Sequence, residues 1–158
     1  MAKTMTYAYD MALPVADVFA TIMASQLAYF HTRNAAIHEL KLGTSVATTL
    51  RTKTDKDPVP ATMTVSELIP NERFSMEVAY AAGKITTTYA LTPTQAGVKV
   101  SYSETNTFVK KTFERSFSWV GWAYTLLYRR NIKKRMQWIE QSTVRESKVG
   151  DTNDAPSI

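Results

Sequence analysis

The sequence contains no cysteine and only five glycines. Without cysteine the chain has no disulfide, no thiolate nucleophile and no cysteine-ligated zinc or iron–sulfur cluster. The glycines stand at positions 43, 83, 97, 121 and 150, so neither G-x-G-x-x-G nor G-x-x-x-x-G-K-[ST] occurs. These absences argue against dinucleotide-binding and P-loop chemistry, and we expect no cofactor.

Long apolar runs are also missing. The longest, residues 117–128, has 12 residues, fewer than the ~18 that a membrane span needs. The N-terminal residues 1–13 lack the apolar run of a signal peptide, so the simplest interpretation is a cytoplasmic protein. The length of 158 residues fits one domain. We place the domain at 1–146 and a disordered tail at 147–158.

The positive charge is concentrated near the C-terminus. Residues 110–148 hold ten basic and three acidic side chains, whereas basic and acidic residues balance in 1–109. Charge asymmetry of this kind is typical of proteins with anionic partners. A solvated helix face explains it equally well.

Apolar periodicity predicts an α+β protein. Residues 6–13 alternate as a strand does, and helical spacing follows Pro14, with Gln26–Asn34 as a second short helix or a connection. Turn residues then separate six strand-like segments, at 37–42, 44–53, 61–69, 73–80, 84–92 and 98–109. A long helix is predicted over 112–145, with its core stripe on Phe113, Phe117, Val120, Tyr124, Leu127 and Tyr128.

This element order resembles the START-like or helix-grip fold of the SRPBCC superfamily, which includes polyketide cyclase-like proteins. Residues Leu13-Pro-Val-Ala-Asp-Val-Phe19 resemble its turn from the first strand into the first helix. The stretch from Trp119 to Arg135 resembles a small, uncharacterised bacterial family within it. The resemblance implies a curved antiparallel sheet of about seven strands around the C-terminal helix, with a deep cavity between them. Its members bind lipids, sterols, hormones or polyketides, and some are cyclases or hydrolases.

The apolar strand faces and the last helix supply the candidate cavity residues. Tyrosine and methionine walls with a few polar groups are typical of ligand pockets. The alternative is that these side chains only pack, with their hydroxyls at the rim. The candidates for ligand binding are Met76, Thr87, Tyr89, Tyr102, Glu104, Tyr124 and Tyr128.

Binding of a small hydrophobic ligand without catalysis is the function we favour from the sequence. The alternative is an enzyme of the cyclase or hydrolase type that uses Glu104 with Tyr102 or Tyr89. Glu104 and Asn106 interrupt an apolar strand face, and a carboxylate in an apolar cavity has a raised pKa suited to acid–base work. If the two lie near the strand end, they are rim residues instead. Two histidines, His31 and His38, give metal binding little support, and we expect no metal.

The predicted outer face of the last helix combines tryptophan and leucine with cations. Such a surface suits an anionic membrane or a homodimer contact, unless a bend at Gly121 buries it. Nucleic-acid binding lacks any recognition motif. The residues of this face are Arg115, Trp119, Trp122, Leu126, Arg129 and Lys133.

Overall fold

The computed structural model describes residues 2–51, 56–109 and 121–153, and side chains for 2–51, 56–109 and 126–150. Six strands and two helices lie in these segments. In chain order they are β1 (Ala2–Met11), α1 (Val15–His31), β2 (Ser45–Leu50), β3 (Val59–Ile69), β4 (Arg73–Tyr80), β5 (Gly83–Thr94), β6 (Gly97–Phe108) and α2 (Gly121–Asn153).

The strands form one curved, open antiparallel sheet in the order β1-β6-β5-β4-β3-β2. From β2 to β6 each strand pairs with the next along the chain, which is the meander predicted from the turn residues. β1 instead pairs with β6, from Ala2 opposite Thr107 to Met11 opposite Val98. The first and second strands of the chain are therefore the two edges of the sheet.

One face of the sheet is apolar and packs against the helices. The alternating side chains of β4 and β5 put Phe74 and Tyr89 on this face, where they are 0% and 1% exposed. Val98 and Val100 of β6 are also fully buried. Because a one-sided antiparallel sheet needs a covering layer, this face and the two helices share one core, as the sequence predicted.

Helix α1 begins after Pro14, whose φ of −60° and ψ of 139° end the preceding extended segment. Proline suits this place because the first helical turn leaves backbone N–H groups unpaired. Val18, Ile22 and Phe30 are completely buried against the sheet and α2. The helix is continuous to His31, so the second short helix considered for Gln26–Asn34 is the end of α1 itself.

Helix α2 packs through a stripe that begins at Tyr128 and includes Ile132, Met136 and Ile139. Leu127 is 61% exposed, so its prediction as a core residue is wrong. It lies about 100° from Tyr128 around the helix, because each residue turns by that angle. Phe113, Phe117 and Val120 lie outside the described residues. The described helix continues to Asn153, beyond residue 147, where we placed the start of the tail.

Polar contacts also connect α2 with α1 and β1. The hydroxyl of Thr143 donates to Thr21 of α1 at 2.8 Å, in a fully buried setting. The hydroxyl of Tyr9 on β1 donates to the carboxylate of Glu140 at 2.8 Å. This hydrogen bond to Glu140 is the main cause of the raised pKa of Tyr9.

The strand predicted at 37–42 is absent: the described residues of this segment form turns and irregular chain. Asn34 starts the turn by accepting a hydrogen bond from the backbone N–H of Ala36 at 3.0 Å, a local contact that asparagine favours over strand pairing. Leu40 lies in this loop, and its side chain is buried. Leu40 and the partly buried Ile37 thus reach the core without being in a strand, whereas Leu42 is exposed, and the described sheet has six strands instead of about seven.

Gly97 lets the start of β6 approach the end of β1. Its φ of +152° is in the region that favours glycine. A Cβ at this position would overlap the carbonyl oxygen of Met11 and lie 2.7 Å from the N of Leu13. The tight β5–β6 turn can therefore sit against the segment that leads into α1.

Candidate functional site

The candidate site lies where β5 and β6 pair on the concave face. Tyr89 is directly opposite Tyr102, and Thr87 is directly opposite Glu104. Since cross-strand partners have Cβ atoms about 5 Å apart, these side chains form two adjacent rows. The apolar face predicted from alternation has brought four of the candidate residues together.

Tyr89 and Tyr102 are the centre of an aromatic cluster. Their rings meet edge to face, with centroids 5.1 Å apart and planes at 73°, an arrangement that aromatic quadrupoles favour. Tyr128 of α2 joins the cluster, 6.2 Å from the Tyr102 ring. Its hydroxyl donates to the carbonyl oxygen of Met5 at 3.4 Å, so Tyr128 ties the helix to the edge strand.

Arg135 places a cation on this cluster. Its guanidinium donates to the hydroxyl oxygen of Tyr102 at 3.3 Å and to that of Tyr89 at 3.4 Å. The guanidinium carbon also lies 5.5 Å from the centroid of the Tyr102 ring. The sequence analysis grouped Arg135 with the basic stretch of the last helix and gave it no part in the cavity. The missed signal was its spacing, three residues after Ile132 and four before Ile139, which puts it at the border of the buried stripe although the residue itself is exposed.

Burial raises the pKa of both tyrosines well above the ordinary value. The positive charge of Arg135 acts in the opposite direction but does not outweigh burial. Both phenols are therefore neutral at physiological pH. Burial also works against the charged form of Arg135, yet the two phenol oxygens leave its pKa raised overall, and the guanidinium is charged.

The polar side chains of the site continue along β6. Glu104 is half-buried, and its carboxylate accepts a hydrogen bond from the side-chain amide of Asn106 at 3.3 Å. Asn106 is 7% exposed, and Thr87 is 6% exposed. The alternative that Asn106 is an exposed rim residue is therefore wrong. Glu104 keeps partial access to solvent at this end of the face.

Apolar side chains border this polar group on the sheet. On β4, Met76 lies directly opposite Thr87 of β5, and Val78 lies opposite Ile85 of β5. All three apolar side chains are only half-buried, although Phe74 on the same face is fully buried. Within the described residues, the concave face is thus closed near Phe74 and more open toward Val78.

A comparison with protein families shows which family this chain belongs to. The family model described as Activator of Hsp90 ATPase homolog 1-like protein matches residues 12–134. The chain belongs to this family. With it the chain is a member of the START-like (SRPBCC) helix-grip superfamily, as the order of elements and the Leu13–Phe19 turn indicated.

Solved structures agree on the fold of this Activator of Hsp90 ATPase homolog 1-like chain. An uncharacterised protein from Rhizobium leguminosarum is 16% identical, with a TM-score of 0.56 over 92% of this chain and 96% of that one. Ara h 8.0201 is 11% identical, with a TM-score of 0.60 over 92% and 99%. Norcoclaurine synthase from Thalictrum flavum is 12% identical, with a TM-score of 0.60 over 93% and 97%. No curated protein matches the sequence.

The structure of this chain places the predicted cavity residues as follows. Tyr89, Tyr102 and Tyr128 form the aromatic cluster, and Thr87 and Glu104 lie beside it. Met76 is next to Thr87 on the neighbouring strand. The side chain of Tyr124 lies outside the described residues.

The predicted outer face of the last helix is described only in part. Leu126 is 61% exposed, and Arg129 and Lys133 are exposed with it, as expected. Arg115 and Trp119 lie outside the described residues, as does the side chain of Trp122. Trp138, which the sequence analysis did not single out, is 53% exposed on another side of α2.

The two histidines lie close together although α1 ends at His31. Their ring centroids are 5.4 Å apart, and the His31 Nδ1 lies 2.9 Å from the carbonyl oxygen of Ile37. Over the described parts of the chain, no group of three metal-ligating side chains occurs. In the same parts, neither helix is apolar enough over a sufficient length to cross a membrane.

A separate open groove of about 540 Å³ lies between the end of α1 and β2, lined by Thr32, Arg33, Ala47, Thr48 and Thr49. The Arg33 side chain already contacts neighbouring residues of the helix and the strand. Its Nε donates to the Thr48 hydroxyl at 2.8 Å, and its guanidinium stacks 3.5 Å from the Tyr29 ring centroid. This arrangement ties helix to strand, and we do not assign a ligand to it.

Proposed function

We propose that the protein binds a small apolar molecule between the concave face of the sheet and α2, without catalysing a reaction on it. The supporting observation is the change in burial along this face. Phe74 and Tyr89 are closed off from solvent, whereas Met76, Val78 and Ile85 on the same face remain half-buried. Apolar surface left half-covered beside a few polar groups is the usual composition of a ligand site.

The family supports the same proposal. The helix-grip fold is one in which hydrophobic ligands are bound, and one similar structure, norcoclaurine synthase, contains a transition-state analogue. Fold alone does not select a ligand or a reaction. The argument for this chain therefore depends on its own concave face, and the cytoplasmic location stays a prediction from the sequence.

The enzyme alternative has less support from the geometry. An acid–base catalyst works best with a pKa near the operating pH, and burial moves the pKa of Tyr102 and Tyr89 away from it. The Glu104 carboxylate already accepts a hydrogen bond from Asn106. Neither observation favours proton transfer by Glu104 together with Tyr102 or Tyr89.

Binding of N-phenyl-1-naphthylamine, a neutral fluorescent apolar molecule, tests the proposal. We expect its fluorescence to rise with the protein and to saturate. The variant Met76→Trp fills the half-open region, and we expect it to weaken binding by at least about tenfold. The control Thr62→Trp adds the same side chain to the opposite, exposed face of β3 and should bind as the wild type does. Absence of binding, or equal binding by both variants, would contradict the proposal.

A second proposal concerns the solvent face of α2, which we assign to an anionic lipid surface. Five basic residues and no acidic one lie between Leu126 and Ile139. Arg129 and Lys133 are exposed together with Leu126, and cations beside an apolar side chain suit a headgroup layer. In a homodimer through this face, like charges would meet, at a cost in free energy.

Cosedimentation with phosphatidylserine vesicles tests this second proposal. We expect binding that decreases as salt is added. The double variant Arg129→Gln/Lys133→Gln should bind less, while Lys56→Gln/Lys99→Gln, which removes the same charge at other exposed positions, should bind as the wild type does. Equal loss in both variants would show a dependence on net charge alone, and a salt-insensitive dimer without vesicle binding would favour self-association.

A further inference from the structure

We infer that the bound molecule carries a carboxylate, which Arg135 holds together with the hydroxyls of Tyr89 and Tyr102. The inference rests on the proposed apolar site and names the chemical class of its ligand. That class is an apolar molecule with one anionic oxygen group. Three observations carry it: the partners of Arg135, the protonation of the two phenols and the half-buried apolar side chains next to them.

Arg135 has no ion pair with a carboxylate among the described residues. Its guanidinium contacts the phenol oxygens of Tyr89 and Tyr102, which are neutral. Glu104, the acidic residue on this part of the face, acts electrostatically on Tyr102, and its carboxylate accepts a hydrogen bond from Asn106. Arg135 is exposed on α2 while its guanidinium contacts two buried phenols, so an anion can reach it from solvent.

The two tyrosines add hydrogen-bond donors to that charge. Each phenol oxygen accepts a hydrogen bond from Arg135, and burial keeps each phenol protonated. A protonated phenol still has its own O–H to donate. The Tyr102 hydroxyl is also hydrogen-bonded with the Thr87 side chain, whereas the hydrogen bond given for the Tyr89 hydroxyl is the one from Arg135. The guanidinium, the two phenols and the Thr87 hydroxyl can all donate hydrogen bonds here, and donors of this kind bind an oxygen anion.

The single charge favours a carboxylate over a phosphate monoester. One guanidinium balances one negative charge, and its planar N–H groups match the two oxygens of a carboxylate. A phosphate monoester brings close to two negative charges at neutral pH. Arg135 and the neighbouring Lys134 are both exposed on α2, and among the described contacts those with the two phenols belong to Arg135. A dianion would thus leave part of its charge unbalanced.

The remainder of the ligand is apolar because of its surroundings. Met76 and Val78 lie on the same concave face as Tyr89 and are half-buried. An apolar body placed over them buries surface on both molecules, at about 25 cal/mol for each Å². Carboxylate and apolar body together describe an organic acid of the fatty-acid type.

Displacement of N-phenyl-1-naphthylamine by decanoate and by decan-1-ol tests the inference, at about pH 8, where the carboxylate is ionised. The two competitors share a chain length and differ in charge. We expect decanoate to bind the wild type at least about tenfold more tightly than decan-1-ol. In Arg135→Gln the two affinities should converge, because only the decanoate affinity falls.

Control variants separate a direct contact from net charge and from misfolding. Lys134→Gln removes the same charge from the adjacent, exposed position and should keep the decanoate preference. Tyr102→Phe keeps the ring, loses one donor and should reduce the preference without abolishing it, which gives a second test if Arg135→Gln does not fold.

Equal affinities for both competitors in the wild type would overturn the carboxylate assignment while leaving the apolar site intact. An equal effect of Arg135→Gln and Lys134→Gln would also overturn it. If neither competitor nor the fluorophore binds, the proposed function itself fails.

Discussion

The phenol ring of Tyr102 meets that of Tyr89 edge to face inside the sheet, with 5.1 Å between the ring centroids. The two residues are 2% and 1% exposed, and their hydroxyls share one arginine, Arg135. Burial raises the pKa of both. The fold therefore requires both phenols in the protonated form.

Tyr102→Phe should make the protein less sensitive to alkaline pH. The folded-state pKa of Tyr102 is above its unfolded value near 10, so its contribution to stability is complete below about pH 10. Above that pH only the unfolded state ionises, and stability falls by about 1.4 kcal/mol per pH unit for each such tyrosine. Urea unfolding between about pH 9 and pH 11 should show a shallower loss in the variant. Parallel curves for variant and wild type would mean that Tyr102 ionises without unfolding.

Thr143→Val should lower the free energy of unfolding by about 1 kcal/mol, because it removes the buried hydrogen bond to Thr21. Thr21→Val should cost a similar amount. The double variant should cost less than the sum by about 1 kcal/mol, since the two hydroxyls are partners. Urea denaturation of the four proteins measures this coupling. Strict additivity would show that the α1–α2 contact depends on packing alone.

Gly97→Ala should be much more destabilising than Gly43→Ala. Both glycines have positive φ, +152° and +85°. At Gly97 a Cβ also overlaps the Met11 carbonyl oxygen, whereas at Gly43 nothing lies within 4 Å of it. We expect a loss of about 2–4 kcal/mol at Gly97 and about 1 kcal/mol at Gly43. Thermal unfolding of both variants provides the comparison, and similar melting temperatures would refute the close approach of β1.

Met63→Ala and Met76→Ala should differ in stability although both residues belong to the concave face. Met63 is 0% exposed, so its truncation leaves a cavity and should cost about 2–5 kcal/mol. Met76 is half-buried, and its truncation enlarges a region that is already open, so the cost should be about 1 kcal/mol. Chemical denaturation without ligand measures both. A cost at Met76 as large as at Met63 would indicate a filled core instead of a binding site.

Much of the fold followed from local patterns. Alternation over 73–80 predicted β4 with both of its ends, since Phe74, Met76 and Val78 mark one face of the strand. The strand prediction for 37–42 was wrong because Ile37 and Leu40 pack in or against the core from a loop. The turn at Asn34 gives this part of the backbone a path that is not a strand. Periodicity reports burial, and it does not report which backbone shape achieves burial.

The candidate site was predictable on the sheet and not on the helix. Thr87, Tyr89, Tyr102 and Glu104 lie together on one face of the sheet, as alternation predicted, because strand parity fixes the face and the turn fixes the register. Arg135 was missed because it is a charged residue in a basic stretch and is exposed, as its neighbour Lys134 is. Only the rotation of the buried stripe toward Ile132 and Ile139 distinguishes it, and a rotation of this size depends on how the helix packs.

The pairing of β1 with β6 has a consequence for biosynthesis. A ribosome delivers Ala2 long before Thr107, its partner across the sheet, so β1 must wait unpaired while the strands from β2 onward can pair with neighbours as they appear. Closing so long a loop is slow, and an unpaired strand invites wrong partners in the meantime. Folding of this chain is therefore expected to finish only after β6 has emerged, which makes truncated products from late in synthesis the species most exposed to aggregation.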